Sequence, residues 1–184
     1  NSFTHLFHNP KDPNTIRSDW TQHIIETSDG KFLFGTAAGT DVYDQEKKTF
    51  ARFEKFVNDT AQHSGGVVHC EDISGNLWFS EWLNGIHRYN IRPKAYKHFM
   101  PEINNPKSLS STKTTSIFED SHGNIWICTY GAGVNKFNSS TETFTHYTTL
   151  NGLPNDAVFK IEEDKKGFLW MSTMNGLAQF NPST

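Results

Sequence analysis

The sequence is short of several things that would point to chemistry. It has only two cysteines, Cys70 and Cys128, at different positions of the repeat described below. A disulfide framework is therefore not expected, and buried free thiols are. Basic excess is missing too: the net charge is −3 and no run of Lys or Arg exceeds two residues (Lys47–Lys48, Lys165–Lys166). A nucleic-acid interface is thereby set aside. No apolar run approaches the roughly 18 residues of a membrane-spanning helix, so no membrane insertion of this segment is expected. None of the nine histidines forms a His-x3-His pair, and no Gly-x-Ser-x-Gly elbow occurs. Gly131-Ala132-Gly133 opens no helical pattern and is no phosphate loop. No catalytic residue, metal ligand or cofactor is assigned.

Aromatic residues are plentiful, with 15 Phe and 5 Trp, and 35% of the chain is hydrophobic. That material suits sheet surfaces, and it is distributed periodically. Gly30, Gly75, Gly123 and Gly167 are spaced by 45, 48 and 44 residues. Four residues before each stands a glutamate (Glu26, Glu71, Glu119, Glu163), and three after it a large apolar residue (Leu33, Trp78, Trp126, Trp170). A second glycine follows at Gly39, Gly85, Gly133 and Gly176, then an aromatic beside a polar residue, as in VYD, RYN, KFN and QFN.

Each copy reads as short strands. VVHCED and SIFED are a first, LWFS and IWIC a buried second, GIHRYN and GVNKFN an alternating third, and TFARF, AYKHF and TFTHY a fourth. Asp72, Asp120 and Asp164, three before the glycine, suit a tight turn whose side chain bonds its own backbone. Four antiparallel strands in about 45 residues is the period of a β-propeller blade. The expected fold is all-β: a propeller segment of four blade equivalents, part of a larger propeller. One domain spans 1–184. Within it lie an orphan fourth strand and connector (1–22), repeats at 23–53, 67–99 and 115–147, and a last repeat at 157–182 without its fourth strand. The orphan follows from a constant offset of 93, which pairs Phe3 with Tyr96, His5 with His98, Pro13 with Pro106 and Ile16 with Leu109. His5, His98 and His146 all fall on fourth strands and are expected to face solvent.

Gly75-Asn76-Leu77-Trp78, Gly123-Asn124-Ile125-Trp126, the NPKSLSS connector at 105–111 and NGLPNDAVFKIEED at 151–164 resemble the two-component regulator propeller repeat. The resemblance runs along essentially the whole chain. The first copy departs from it, with Thr27 for the turn aspartate, Lys31 for the asparagine and Leu33 for the tryptophan. What the resemblance implies is a non-enzymatic, periplasmic sensor segment of a hybrid two-component system, with its histidine kinase elsewhere in the parent chain. An oligosaccharide is the implied ligand, and open blade edges leave a homodimer possible. Two alternatives stand beside it. Trp78-Phe79-Ser80-Glu81 is similar to the repeat of streptogramin lyases, and the segment could be structural with no ligand site of its own.

Strand direction sorts the loops. Turns between strands one and two share one rim with their repeated Asp-x-x-Gly. The strand-two to strand-three loops (TAAG, SEWLNG, TYGAG, TMNG) and the long connectors share the other, and there the copies differ. A sugar ring offers an apolar face to an aromatic and hydroxyls to carboxylates and amides. The ligand candidates on this rim are thus Trp82 with Glu81 and Asn84, then Tyr130, Trp20 and His63. Packing against a neighbouring loop is the competing reading, even with function for Trp82 and ahead of it for Tyr130, Trp20 and His63. Recurrence assigns Trp78, Trp126 and Trp170 to packing between blades, and the four glutamates to support of the turns.

Overall fold

The structure, a computed structural model, describes residues 2–53, 66–90 and 95–182. Among them lie three four-stranded antiparallel sheets and one three-stranded sheet, every strand pairing with its neighbour in sequence. Blade 1 is β1 (Thr21–Glu26), β2 (Phe32–Thr36), β3 (Gly39–Asp44) and β4 (Thr49–Arg52). Blade 2 is β5 (Val67–Glu71), β6 (Asn76–Ser80), β7 (Ile86–Asn90) and β8 (Ala95–Phe99). Blade 3 is β9 (Thr114–Glu119), β10 (Ile125–Thr129), β11 (Val134–Asn138) and β12 (Thr143–Tyr147). Blade 4 is β13 (Val158–Glu163), β14 (Leu169–Thr173) and β15 (Gly176–Phe180). One turn of 3₁₀ helix, Thr149–Asn151, interrupts the last connector. The all-β propeller expectation holds. Residues 2–6, expected as a fourth strand, join no sheet, since no third strand lies beside them.

The turn after each first strand shows why the sequence repeats. Asp120 accepts hydrogen bonds from the backbone N–H groups of His122 and Asn124, from the Asn124 amide and, at 2.8 Å, from the indole of Trp126. Asp72 does the same for Asn76 and Trp78. Gly123 sits at φ 76°, where a side chain would be strained. Burial pushes the Asp120 carboxyl up, but these donors together outweigh it and hold it below its ordinary range. In the first copy Thr27 and Leu33 are changed together: the acceptor and the indole that would need it are both absent. The turn still closes through Gly30 N–H to Thr27 C=O.

The core lies in the seams between blades. Leu33 meets Val68, Leu77 and Phe79 in the first. Trp78, Ile86 and Phe99 meet Ile117, Ile125 and Ile127 in the second. Trp126, Cys128 and Val134 meet Val158, Ile161, Leu169 and Met171 in the third. Trp78 and Trp126 are 1% and 0% exposed, as packing between blades requires, whereas Trp170, on the forward face of blade 4, is 36% exposed. The packing expected for all three is seen at Trp78 and Trp126, and no further blade lies beside Trp170 among the described residues. Cys70 and Cys128 are free thiols, and burial raises both, Cys128 to about 12.

Three of the four glutamates do support turns, but those of the preceding blade. Glu71 accepts from Ser28 N–H at 2.5 Å, Glu119 from Ile73 N–H at 3.0 Å and Glu163 from Ser121 N–H at 2.6 Å. Outside this ring of staples, Glu142 of blade 3 binds Arg88 and Lys97 of blade 2, each at 2.7 Å. The connectors before blades 1 and 3 fold alike, as their offset predicts. Arg17 N–H donates to Asp41 and Ser110 N–H to Asn135, while Ile16 and Leu109 are buried beneath. Asn14 C=O and Lys107 C=O cap the outer strands at Phe50 and Phe144.

Candidate functional site

The two rims separate as strand direction predicts. Tyr130 N–H donates to Lys113 C=O and Ala37 N–H to Trp20 C=O. The strand-two to strand-three loops therefore sit against the connectors, on the rim opposite the aspartate turns.

On that rim a cavity of about 440 Å³ opens over blades 1 and 2. Its wall includes Trp20, from the connector before blade 1, with the adjacent Glu81 and Trp82 of the β6–β7 loop in blade 2, and its floor Gln22, Ser80 and Thr114. Trp20 and Trp82 are 68% and 59% exposed, so neither indole is spent on packing. Trp82 and Leu83 form the tip of the turn that closes through Asn84 N–H to Glu81 C=O. Leu83 stands there at φ 68°, a conformation a γ-branched residue seldom takes, and is also exposed. Backbone strain combined with two exposed apolar side chains at one loop tip is the pattern of a binding loop.

The carboxylate is held from behind. Glu81 accepts from the Asn84 amide at 2.8 Å and lies 3.6 Å from Nε2 of the buried His87. His87 shares a 2.6 Å hydrogen bond with Tyr96 and stacks on His98, whose Nε2 donates to Asn84 C=O. Asn84 thus positions Glu81 more than it faces the cavity. His98 and His146 differ from expectation: both are half-buried, and each bonds a loop carbonyl, Asn84 C=O and Ser108 C=O. Their strand edge is covered by loops, not by water. Tyr130 lies apart from the cavity, in the seam beside Phe159 with ring centroids 6.3 Å apart. His63 lies outside the described residues.

A pair invisible to the repeat alignment lies behind the floor. Every first strand carries a bulge, four residues before its glutamate in blades 1, 3 and 4 but at His69, two before, in blade 2. The displaced bulge re-aims His69 toward His23, ring centroids 4.4 Å apart, and toward Ser80 Oγ at 2.7 Å. Burial depresses the pKa of both rings, each aided by a neighbouring cation-forming group, His23 for His69 and Lys160 for His23.

The opposite rim holds a larger cavity, about 760 Å³, lined by Glu26, Asp29, Glu71, Asp72, Glu119 and Asp120. Four of these acids are already spent: Asp72, Asp120 and the stapling Glu71 and Glu119 hold turns together. Burial raises Glu119, with Asp72 and Asp120 adding to it against the Ile73 N–H bond. Among the described residues no three His, Cys, Asp or Glu side chains cluster as metal ligands. No helix among them is long and apolar enough to cross a membrane.

Comparison with known proteins agrees with the repeat. Residues 108–131 and 152–175 match the two component regulator propeller family model. The chain superposes with a TM-score of 0.80, at 25% identity, on the extracellular domain of the putative hybrid two component system BT3049 of B. thetaiotaomicron, covering 99% of this chain and 23% of that one. The extracellular domain of BT4673 from the same organism gives 0.77 at 21% identity, covering 96% and 25%. A catalytically inactive virginiamycin B lyase from Staphylococcus aureus, solved with quinupristin, gives 0.65 at 19%, covering 92% and 55%; this is a likeness of fold. The chain thus spans about a quarter of the length of the two-component neighbours. No curated protein matches it. The two matched segments are similar to two-component regulator propeller repeats, and the extracellular domains share the fold of the chain.

Proposed function

We propose that the chain is the ligand-sensing propeller segment of a periplasmic receptor, and that it recognises an oligosaccharide on the variable rim without transforming it. The observation that carries this reading is the cavity where Trp20 and Trp82 stand exposed beside Glu81. Two indole faces can cover the C–H faces of pyranose rings, and a carboxylate preset by Asn84 can accept from hydroxyls. Ligand held between blades 1 and 2 would bias their packing, and a kinase elsewhere in a longer parent chain would read that bias. The lyase alternative rests on Trp78-Phe79-Ser80-Glu81, of which Trp78 and Phe79 are spent on seams between blades.

The test is a thermal-shift screen against defined plant and host oligosaccharides, repeated with Trp82→Ala. A ligand at about 100 times its Kd adds about 2.7 kcal/mol, a rise of roughly 5–10 °C for a chain of this size. The expected result is a hit that Trp82→Ala loses while its own melting temperature stays unchanged. A hit indifferent to Trp82 would move the site elsewhere, and turnover of a streptogramin on adding divalent metal would favour the lyase.

A further inference from the structure

At the floor of the rim cavity, blade 2 departs from its own repeat. In blades 1, 3 and 4 the second strand ends on a threonine, Thr36, Thr129 or Thr173, whose hydroxyl donates to the C=O of the glycine leading into the third strand. Blade 2 has Ser80 there, and its hydroxyl meets Nε2 of His69 at 2.7 Å instead. Burial keeps the His69 ring neutral, so it carries a single N–H. Its Nδ1 is buried without a partner among the described residues. An unpaired N–H at that place costs more than an unpaired lone pair, which puts the proton on Nε2 and makes Ser80 the acceptor. The Ser80 proton is left for another partner. Thr114 is the second departure. It pairs with Thr129 as Val158 pairs with Thr173 in blade 4, so the two hold one place in the repeat. Val158 is fully buried, hence packing at that place asks for no hydroxyl. The Thr114 hydroxyl is buried without a partner among the described residues, in a residue that lines the cavity. A ligand acceptor would relieve that cost.

We infer that the sugar held on this rim carries an N-acetyl group whose carbonyl sits on the hydroxyls of Ser80 and Thr114, an inference that rests on the rim being a sugar site. A carbonyl oxygen has two lone pairs and accepts from both hydroxyls at once. The amide N–H of the same group is matched by the carboxylate of Glu81, next to Ser80 in the chain. Ala37 and Val67, on the same lining, give the methyl group an apolar contact. Charge narrows the class further. Among the described residues lining the cavity, Glu81 is the only ionic side chain, with no Lys or Arg beside it. A uronate or a sulfated sugar would bring like charges together with no cation to offset them. The ligand class is a neutral, N-acetylated oligosaccharide.

Isothermal titration calorimetry of the purified chain separates the acetyl group from the sugar that carries it. Disaccharides of N-acetylglucosamine and of N-acetylgalactosamine are titrated beside glucose and galactose disaccharides of the same linkage and a galacturonate disaccharide. An acetylated disaccharide is expected to bind about tenfold tighter than its hydroxyl counterpart, with galacturonate the weakest. Thr114→Val should weaken the acetylated ligand roughly fivefold to tenfold. The melting temperature of the free variant should hold or rise, since an unpaired hydroxyl gives way to the side chain that blade 4 already uses. Glu81→Gln should bring galacturonate about tenfold closer to the neutral sugars. Sugars that lose binding with Trp82→Ala, yet bind equally well with or without the acetyl group, overturn the inference and leave the sugar site standing. So does a Thr114→Val chain that melts lower and binds as before. Silence from every disaccharide, or binding indifferent to Trp82→Ala, overturns both.

Discussion

Trp126 and Trp170 occupy the same place in consecutive blades and make the same bond. Each indole donates to its own aspartate, Asp120 at 2.8 Å and Asp164 at 2.9 Å. Yet one is fully buried and the other 36% exposed. The bond belongs to the blade: it spans six residues and forms wherever the Asp-x-x-Gly-x-x-Trp spacing occurs. Burial belongs to the neighbour. A blade can thus set its tryptophan rotamer before any seam exists, which makes it a prepared surface awaiting the next blade.

The largest expected break in that comparison is Trp126→Ala. It should cost about 3–5 kcal/mol in urea unfolding, whereas Trp170→Ala should cost about 1–2 kcal/mol, because its cavity already opens to water. Next comes the acceptor. Asp120→Ala strands a buried indole N–H and the Asn124 groups, at about 2–3 kcal/mol. Asp164→Ala should move the urea midpoint less, since water can replace the carboxylate at Trp170. Equal losses for the two aspartates would mean that the bond, not the burial, carries the stability.

The smallest effect sharpens the comparison at the first seam, where Leu33 stands in the tryptophan's place and a pair of histidines joins the two first strands. His23 and His69 face each other there with Lys160 nearby, and both have pKa values below the ordinary 6.5. The unfolded chain takes up protons near 6.5 that the folded chain refuses. Stability from this pair is therefore complete above that pH and is lost as pH falls through it. Melting temperature should decline between about pH 6.5 and 5, above the range where Asp120 titrates, and His69→Gln should flatten the decline. An unchanged slope in the variant would show that the pair opens to water before it protonates.

Much of this was legible in the residues because it is local. Glycine at positive φ, aspartate three before it and tryptophan six after the aspartate lie within one hairpin, so spacing alone fixes their bonds. The paired change to Thr27 and Leu33 carried its own explanation. The glutamates were legible only in part: recurrence marked them as turn support, but whose turn depends on how blades stack. Trp20, Glu81 and Trp82 could be nominated one by one from loop position. That they line one cavity and Tyr130 does not, with Asn84 behind Glu81, is a matter of distances between blades. The bonds of His98 and His146 ran against the repeat, because equivalence in sequence says nothing of what lies on the far side of a face.

By itself the sequence determined the blade: its strands, its turns, its tryptophan–aspartate bond and the rim on which the copies differ. Each of these follows from the side-chain alternation of a strand or from a hydrogen bond closed within a few residues. Only the tertiary structure decided the seams. The bulge at His69 sits two residues away from its place in the other blades, a local choice that no spacing announces. It turns a ring toward His23, 46 residues distant, and contacts at that range are set by the angle between packed sheets, not by the order of residues along the chain.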